Sequence, residues 1–311
     1  MVELVILGSG GSIPTLKRNH PAYLIRHEGW NLLFDCGEDA QRRIEPYGNN
    51  RKMAIFISHN HADHMLGIPG VLLRFSLLGR IKPMSIYAPA ELIEFIKVAQ
   101  STIHLGTTFE ATVYGVEPGV VFSEKDFSVR AFEVEHRGKA FGYEFTYQKP
   151  TGTFLPEKAK ELNIPKGKLW SRLAKGENVH LEDGRQVRPE DVSLHPEKGL
   201  KIVYSGDTRP CDNVREAAKD ADILLHEAMY TEEHSELAAE RGHSTAKEAA
   251  TIASECNVGL LILTHYSPRY EDGEVIIREA KKYFPNAVLA RDLMSVKLNH
   301  DGNTEIVTPK N

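Results

Sequence analysis

The chain has 311 residues, a formal net charge of −5 at pH 7 and 41% hydrophobic residues. That composition supports a large buried core, and no run approaches the ~18 apolar residues of a membrane span. A net negative charge also excludes indiscriminate nucleic-acid binding by the chain as a whole.

In chain order, residues 2–7 read as a strand running into Gly8-Ser9-Gly10-Gly11, with further strands at 22–26, 31–34 and 53–57. Helical spacing of apolar residues covers 65–78 and 90–104. Strands return at 84–87, 127–135 and 141–147. The interval 149–199 loses this patterning. It is rich in Lys, Gly and Pro and has one short helical stretch, 168–174. A long insertion of this kind in a compact chain is usually functional or flexible. The pattern resumes with strands at 201–204 and 223–226, a helix at 245–256 and a strand at 259–264. A helix at 275–283 and strands at 287–290 and 295–299 follow. No repeat of 20–50 residues points to a solenoid. Two halves that each mix strands with helices agree with an αββα sandwich.

Charge is segregated along the chain. Between Lys149 and Arg188, nine Lys/Arg stand against five Asp/Glu, a net of +4, which leaves −9 for the remainder. One basic appendage that meets a polyanion would account for this; a solvated Lys-rich loop is the plainer alternative. Cys36, Cys211 and Cys256 are odd in number, widely spaced and without a C-x-x-C pair. Free thiols in a reducing cytoplasm fit better than a disulfide framework. The first strand begins without a basic segment before it, so no signal peptide is expected.

The densest chemistry lies in His59-Asn60-His61-Ala62-Asp63-His64, directly after the apolar run Ala54-Ile55-Phe56-Ile57. In an extended segment alternate side chains share a side, so His59 and His61 face together. Imidazole and carboxylate suit zinc, iron or manganese. Four such groups exceed what one catalytic zinc with an open position needs. Three more ligand-type residues leave apolar strands: His136, Asp207 and His265. Each alone would more often cap or face solvent.

This spacing resembles the metallo-β-lactamase superfamily, whose signature is H-x-H-x-D-H after a buried strand. The resemblance implies a four-layer αββα metallo-β-lactamase sandwich over residues 1–311. It also implies two divalent metal ions per subunit, Zn2+ by preference. His59, His61 and His136 would hold the first, Asp63, His64 and His265 the second, and Asp207 would bridge them.

Four segments resemble one branch, the tRNA 3′-processing endonucleases called RNase Z or tRNase Z. They are the glycine loop through Lys17-Arg18-Asn19, Phe34-Asp35-Cys36-Gly37-Glu38-Asp39-Ala40-Gln41, the pair His226-Glu227-Ala228-Met229 and His243-Ser244-Thr245, and Thr264-His265-Tyr266-Ser267-Pro268-Arg269-Tyr270. The resemblance implies cleavage of precursor tRNA 3′ of the discriminator base, giving a 3′-hydroxyl tRNA and a 5′-phosphate trailer. Asp63 would orient the attacking oxygen, and Glu227 with His243 would protonate the leaving one. Lys17, Arg18, Asn19 and Arg269 would contact RNA. Residues 149–188 would be a protruding basic arm that grips the tRNA, with Lys168, Arg172 and Lys175 at its tip. The resemblance further implies a cytoplasmic homodimer without membrane contact. A same-fold phosphodiesterase or other hydrolase of a small substrate, and a non-catalytic RNA-binding relative, are the alternatives.

Overall fold

The structure is a computed structural model that describes residues 1–103, 105–148, 152–194, 199–299 and 304–308. The expected end of the second helix at His104 and the expected start of the arm at 149–151 lie outside the described residues.

The chain opens with an antiparallel meander, β1 (Val2–Gly8), β2 (Ala22–His27) and β3 (Trp30–Phe34). Three strands then add in parallel: β4 (Lys52–Phe56), β5 (Met84–Ala88) and β6 (Ala111–Gly115). Between them run α1 (Ala40–Arg43), α2 (Ala62–Met65), α3 (Ile68–Leu77) and α4 (Glu91–Thr102). A second meander, β7 (Gly119–Ser123), β8 (Phe127–Glu133) and β9 (Phe141–Tyr147), starts the other sheet. The arm follows, with α5 (Pro156–Glu161), α6 (Lys168–Ala174), β10 (Val179–His180) and β11 (Gln186–Val187). A parallel series then runs β12 (Leu200–Tyr204), α7 (Asp212–Ala218), β13 (Ile223–Glu227), α8 (Ser235–Arg241), α9 (Ala246–Glu255), β14 (Leu260–Thr264), α10 (Glu274–Ala280) and β15 (Ala287–Leu289). Finally β16 (Ser295–Leu298) and β17 (Thr304–Val307) return to the first sheet.

The sheet orders are β17-β16-β1-β2-β3-β4-β5-β6 and β15-β14-β13-β12-β9-β8-β7. Strand β4 shows why the layers form. Its apolar run does not alternate, because both faces are buried. Ala54 and Phe56 enter the aromatic-rich core between the sheets, with Tyr23, Tyr143 and Phe145. Met53 and Ile55 enter the core beneath α3 and α4, with Leu72, Phe75 and Ile96. The second sheet is covered in the same way by α7, α9 and α10. The result is the expected αββα order.

Several elements escape sequence patterning. Helices α7 and α8 have seven residues each, and their buried positions are mostly alanine, which marks an apolar stripe weakly. Strands β6 and β7 are partly exposed, which blurs their alternation.

The arm differs most from expectation. Its elements are short but share a core of their own, in which Ala159, Leu173, Val179 and Val192 are fully buried. Trp170 Nε1–H donates to Ile164 O at 2.9 Å across this core. Phe154 and Ser193 pair at the base, and Leu155 N–H donates to Val192 O at 2.7 Å. Among the described residues the arm's core reaches past the expected end at Arg188, because the turn Pro189–Val192 supplies Val192 to it. Short elements explain the missing periodicity, since none is long enough to repeat it.

A Leu-to-Ala change in a buried cluster costs about 2–5 kcal/mol, more than a core this small is expected to withstand. Leu173→Ala should therefore remove amide protection across residues 156–187 in hydrogen-exchange mass spectrometry, while β1 to β9 stay protected. Loss of protection throughout would show that arm and sandwich unfold together.

Candidate metal centre and cleft

The sheets deliver the predicted ligands to one edge. Strands β3 to β6 are parallel, as are β12 to β15, and β8 runs parallel to β12 because both oppose β9. The segments leaving β4, β8, β12 and β14 therefore converge. They carry His59 to His64, His136, Asp207 and His265.

Close backbone approach is needed for this. A Cβ on Gly37 would lie 2.3 Å from Asp63 O, and one on Gly67 would lie 2.0 Å from Gly37 O. Bare glycines let the 35–38 loop pack against the histidine segment. His265 and Asp35 adopt left-handed backbone, at φ 50° and 55°. His265 is held there by a bond from its N–H to Ser9 O at 3.0 Å. Such strain persists only where the surroundings fix it.

The seven residues form two groups. Ligand atoms of His59, His61, His136 and Asp207 lie within 4.8 Å of one another, as do those of Asp63, His64 and His265. Asp207 stands between the groups: its Oδ2 is 3.7 Å from His59 Nε2 and 3.3 Å from His64 Nε2, and its Oδ1 is 3.4 Å from His265 Nδ1. His265 Nε2 is 3.3 Å from Asp63 Oδ2.

The donor set fits divalent cations. His59 Nε2, Asp207 Oδ1 and His265 Nδ1 are buried and make no hydrogen bond, an arrangement that is costly without a ligand. Hydrogen bonds also set the tautomers. His136 Nδ1–H donates to Gly242 O at 2.7 Å, which leaves Nε2 with a lone pair. Ser58 Oγ–H donates to Asp35 at 2.8 Å, so it accepts from His59 Nδ1–H at 2.9 Å and His59 Nε2 is likewise bare. Burial pushes His59, His61 and His136 below the ordinary histidine range, which keeps them neutral. His64 moves the other way. Burial, the largest influence, lowers it, but Asp207, Asp35 and Asp63 together carry it well above that range. Three carboxylates around one imidazole are a surplus of negative charge that divalent cations would neutralise.

Beside this cluster, Glu227 is fully buried and accepts from Thr208 N–H and Met229 N–H, each at 3.0 Å. It also accepts from His243 Nδ1–H at 2.9 Å. Burial alone would lower His243, but the Glu227 charge and hydrogen bond, with Asp207, raise it to about 9. The expected cap is present too. Thr245 accepts from Glu248 N–H, and Glu248 accepts from Thr245 N–H at 2.8 Å, which fixes the start of α9 just past His243. His243 lines a cleft of about 360 Å³ with His61, Asp63, His136 and Asp207.

The expected RNA contacts divide. Lys17 is exposed on the glycine loop, and Arg269 is exposed with its guanidinium 5.7 Å from the Tyr230 ring centre. Arg18 is buried. Its guanidinium donates to Tyr266 O at 2.8 Å and stacks 3.9 Å from the Tyr266 ring centre. It therefore anchors the His265–Tyr266 loop instead of offering a free charge to a phosphate. Asn19 is half-buried and bonded through its backbone to Asp292 and through its side chain to Asp39 and Arg43. In the arm, Lys168 and Lys175 are exposed, while Arg172 pairs with Glu177 at 2.8 Å.

Sequence reading gave no role to Asp35. This buried carboxylate accepts from Ser58 N–H at 2.7 Å, Ser58 Oγ–H at 2.8 Å, His64 Nδ1–H at 2.7 Å and Tyr204 O–H at 2.5 Å. It orients two candidate ligands at once. Its sequence signals were its place in a polar, glycine-bearing exit from β3 and in a segment that resembles RNase Z.

Two helix-covered sheets with paired His/Asp groups at one edge define a metallo-β-lactamase-fold hydrolase. Residues 178–266 match the family model described as Beta-lactamase superfamily domain, and residues 2–146 match that described as Anti-Pycsar protein Apyc1. Ribonuclease Z of Methanosarcina acetivorans is 42% identical, covering 96% of this chain and 98% of that one. Ribonuclease Z of Archaeoglobus fulgidus is 40% identical, covering 97% and 99%. The solved human tRNase Z, short form, is 25% identical with a TM-score of 0.66, covering 95% and 98%. The metallo-β-lactamase fold protein YhfI of Bacillus subtilis, 18% identical with a TM-score of 0.68 over 95% and 99%, shares the fold. The chain belongs to the ribonuclease Z family. Nuclease hydrolase chemistry and use of a divalent metal go with that membership and with the clusters described above.

Asp35→Asn would place an amide N–H2 against donors that need an acceptor. Loss of a partner that orients metal ligands typically weakens metal affinity by about 10–100-fold. Competitive chelator titration of the folded variant should show a loss in that range. Unchanged affinity would mean that Asp35 only stabilises the fold.

Proposed function

We propose that this chain cuts precursor tRNA on the 3′ side of the discriminator base, leaving a 3′-hydroxyl on the tRNA and a 5′-phosphate on the trailer. One observation carries the reading. Two His/Asp groups sharing Asp207 and the buried Glu227–His243 pair open on a single cleft, in a chain of this family.

His59, His61 and His136 would hold one divalent cation and Asp63, His64 and His265 a second, with Asp207 shared; Zn2+ suits these nitrogen and oxygen donors. Bound there, the ions would stabilise charge on phosphoryl oxygens and lower the pKa of water. Asp63 is fixed by Ser12 N–H at 2.9 Å and retains some exposure to the cleft, so it can orient the incoming water. As the P–O3′ bond breaks, His243 donates its Nε2 proton to the leaving oxygen. Glu227 holds the other ring nitrogen, fixes the imidazole plane and keeps it protonated at neutral pH.

The arm serves affinity for whole tRNA in this reading. Lys158, Lys166, Lys168 and Lys175 are exposed and have no ion pair with a described residue, while Lys160, Arg172 and Arg185 are paired. The enzyme works as a cytoplasmic homodimer, one subunit's arm presenting RNA to the partner's site. Three unbridged cysteines support a reducing compartment. No helix among the described residues is long and apolar enough to cross a membrane.

Incubation of the purified, metal-replete protein with a structured precursor tRNA, followed by end-group analysis of both products, tests the reading. A 3′-phosphate on the tRNA, or turnover of small diesters alone, would overturn it.

His243→Ala should lower the single-turnover rate by ~10²–10⁴-fold with RNA affinity nearly unchanged, as expected for loss of a general acid. A fall in affinity at a constant saturated rate would make His243 a binding residue.

Because Phe154 and Ser193 meet at the base, residues 155–192 can be replaced by a short Gly-Ser linker. That deletion should raise KM for precursor tRNA and flatten its salt dependence, since fewer counterions are released. Hydrolysis of bis(p-nitrophenyl) phosphate should persist. Unchanged precursor-tRNA kinetics would refute a gripping role.

A further inference from the structure

Part of the cleft wall has no role in the mechanism above. Arg137 and Arg241 line it with Tyr230 and Glu240, one and two residues from His136 and His243, whose ring centres are 5.0 Å apart. Chain position and packing put them there. Arg137 directly follows His136, Arg241 lies two residues before His243, and the two segments are tied by the bond from His136 Nδ1–H to Gly242 O.

Both arginines are exposed, and each has only a weak tether. Arg137 Nη2 donates to Glu240 O at 3.4 Å, and Arg241 Nη1 donates to Tyr230 Oη at 3.3 Å. Neither forms an ion pair with a described residue, and the exposed Glu240 carboxylate pairs with neither. The C-terminal end of α8 attracts cations, which explains why arginine is tolerated here. It does not explain why two guanidinium groups from different segments line the same cleft with most of their N–H donors unused. A pair of such forks is suited to a phosphodiester oxygen pair.

The direction of the RNA identifies the phosphate. His243 protonates the 3′-oxygen that stays with the tRNA, so its side of the cleft faces the tRNA body. The next backbone phosphate on that side is the one 5′ of the discriminator nucleotide. We infer that Arg137 and Arg241 clamp this phosphate and thereby set which linkage reaches the metal centre, an inference that rests on the tRNA-cleaving reading above. The metal centre would hold the scissile phosphate and the arginines its neighbour, so two adjacent phosphates are fixed and the register of cleavage with them.

A substrate cycle tests this. Two precursor tRNAs are prepared, both with 2′-deoxyribose at the nucleotide before the discriminator. One carries an ordinary phosphate between that nucleotide and the discriminator, and the other an uncharged methylphosphonate. With the ordinary substrate, Arg137→Ala and Arg241→Ala should each lower kcat/KM about tenfold, the size of one lost charge-assisted contact, mainly through KM. Arg241→Lys should recover part of the loss. With the methylphosphonate, which removes the charge both guanidinium groups meet, wild type should fall by about ten- to a hundredfold and the variants should cleave it no more slowly than wild type does. Additive losses from variant and methylphosphonate would overturn the inference, as would variants that cleave the ordinary substrate like wild type. Failure of wild type to cut the ordinary substrate would overturn the tRNA-cleaving reading itself, and the clamp with it.

Discussion

The carboxylate of Asp35 is the point on which the centre depends. It is fully buried between the two sheets, at the exit of β3, and four donors converge on it. A carboxylate in that position is costly unless it is fully hydrogen-bonded. Its donors come from Ser58 and His64 in the histidine segment and from Tyr204 on the opposite sheet. Satisfying one buried charge therefore fixes the relative position of both sheets and the orientation of His59 and His64. The left-handed backbone of Asp35 and the glycines at 37 and 67 are the local conditions that allow it.

The rest of the cleft follows from a division of charge. Neutral imidazoles collect on the His59–His61–His136 side, where burial and mutual repulsion disfavour protons. Carboxylates collect around His64 and raise it. Glu227, held by two backbone N–H groups, does the same for His243 at the other end of Asp207. One constellation thus contains neutral ligand nitrogens and a protonated imidazole a few ångströms apart. The difference comes from which carboxylate each ring faces.

The arm and the sandwich have separate hydrophobic cores. The arm's elements pack chiefly on one another, around Leu173 and Val192, and its base is closed by the Phe154–Ser193 pairing. Residues 154–193 carry eight Lys/Arg against seven Asp/Glu, so the basic character lies in the exposed Lys158, Lys166, Lys168 and Lys175 and not in the unit's net charge.

The sequence by itself determined most strands and the seven ligand-type residues at their exits, while the layer order came from the family resemblance. The first two are local properties: continuous apolar runs mark strands buried on two faces, and polar residues at their exits mark the active edge. It could not show that Arg18 is buried beneath Tyr266, that Asp35 joins the sheets, or that residues 154–193 fold around a core. Those facts depend on contacts between segments tens to hundreds of residues apart, or on elements too short to show a period. Arg18 and Lys17 look alike in the chain, and packing alone separates an anchor from a free charge. The tertiary structure also brought Arg137 and Arg241 to one wall, because bonds from His136 to Gly242 O and from Arg137 to Glu240 O join two segments that share no sequence pattern.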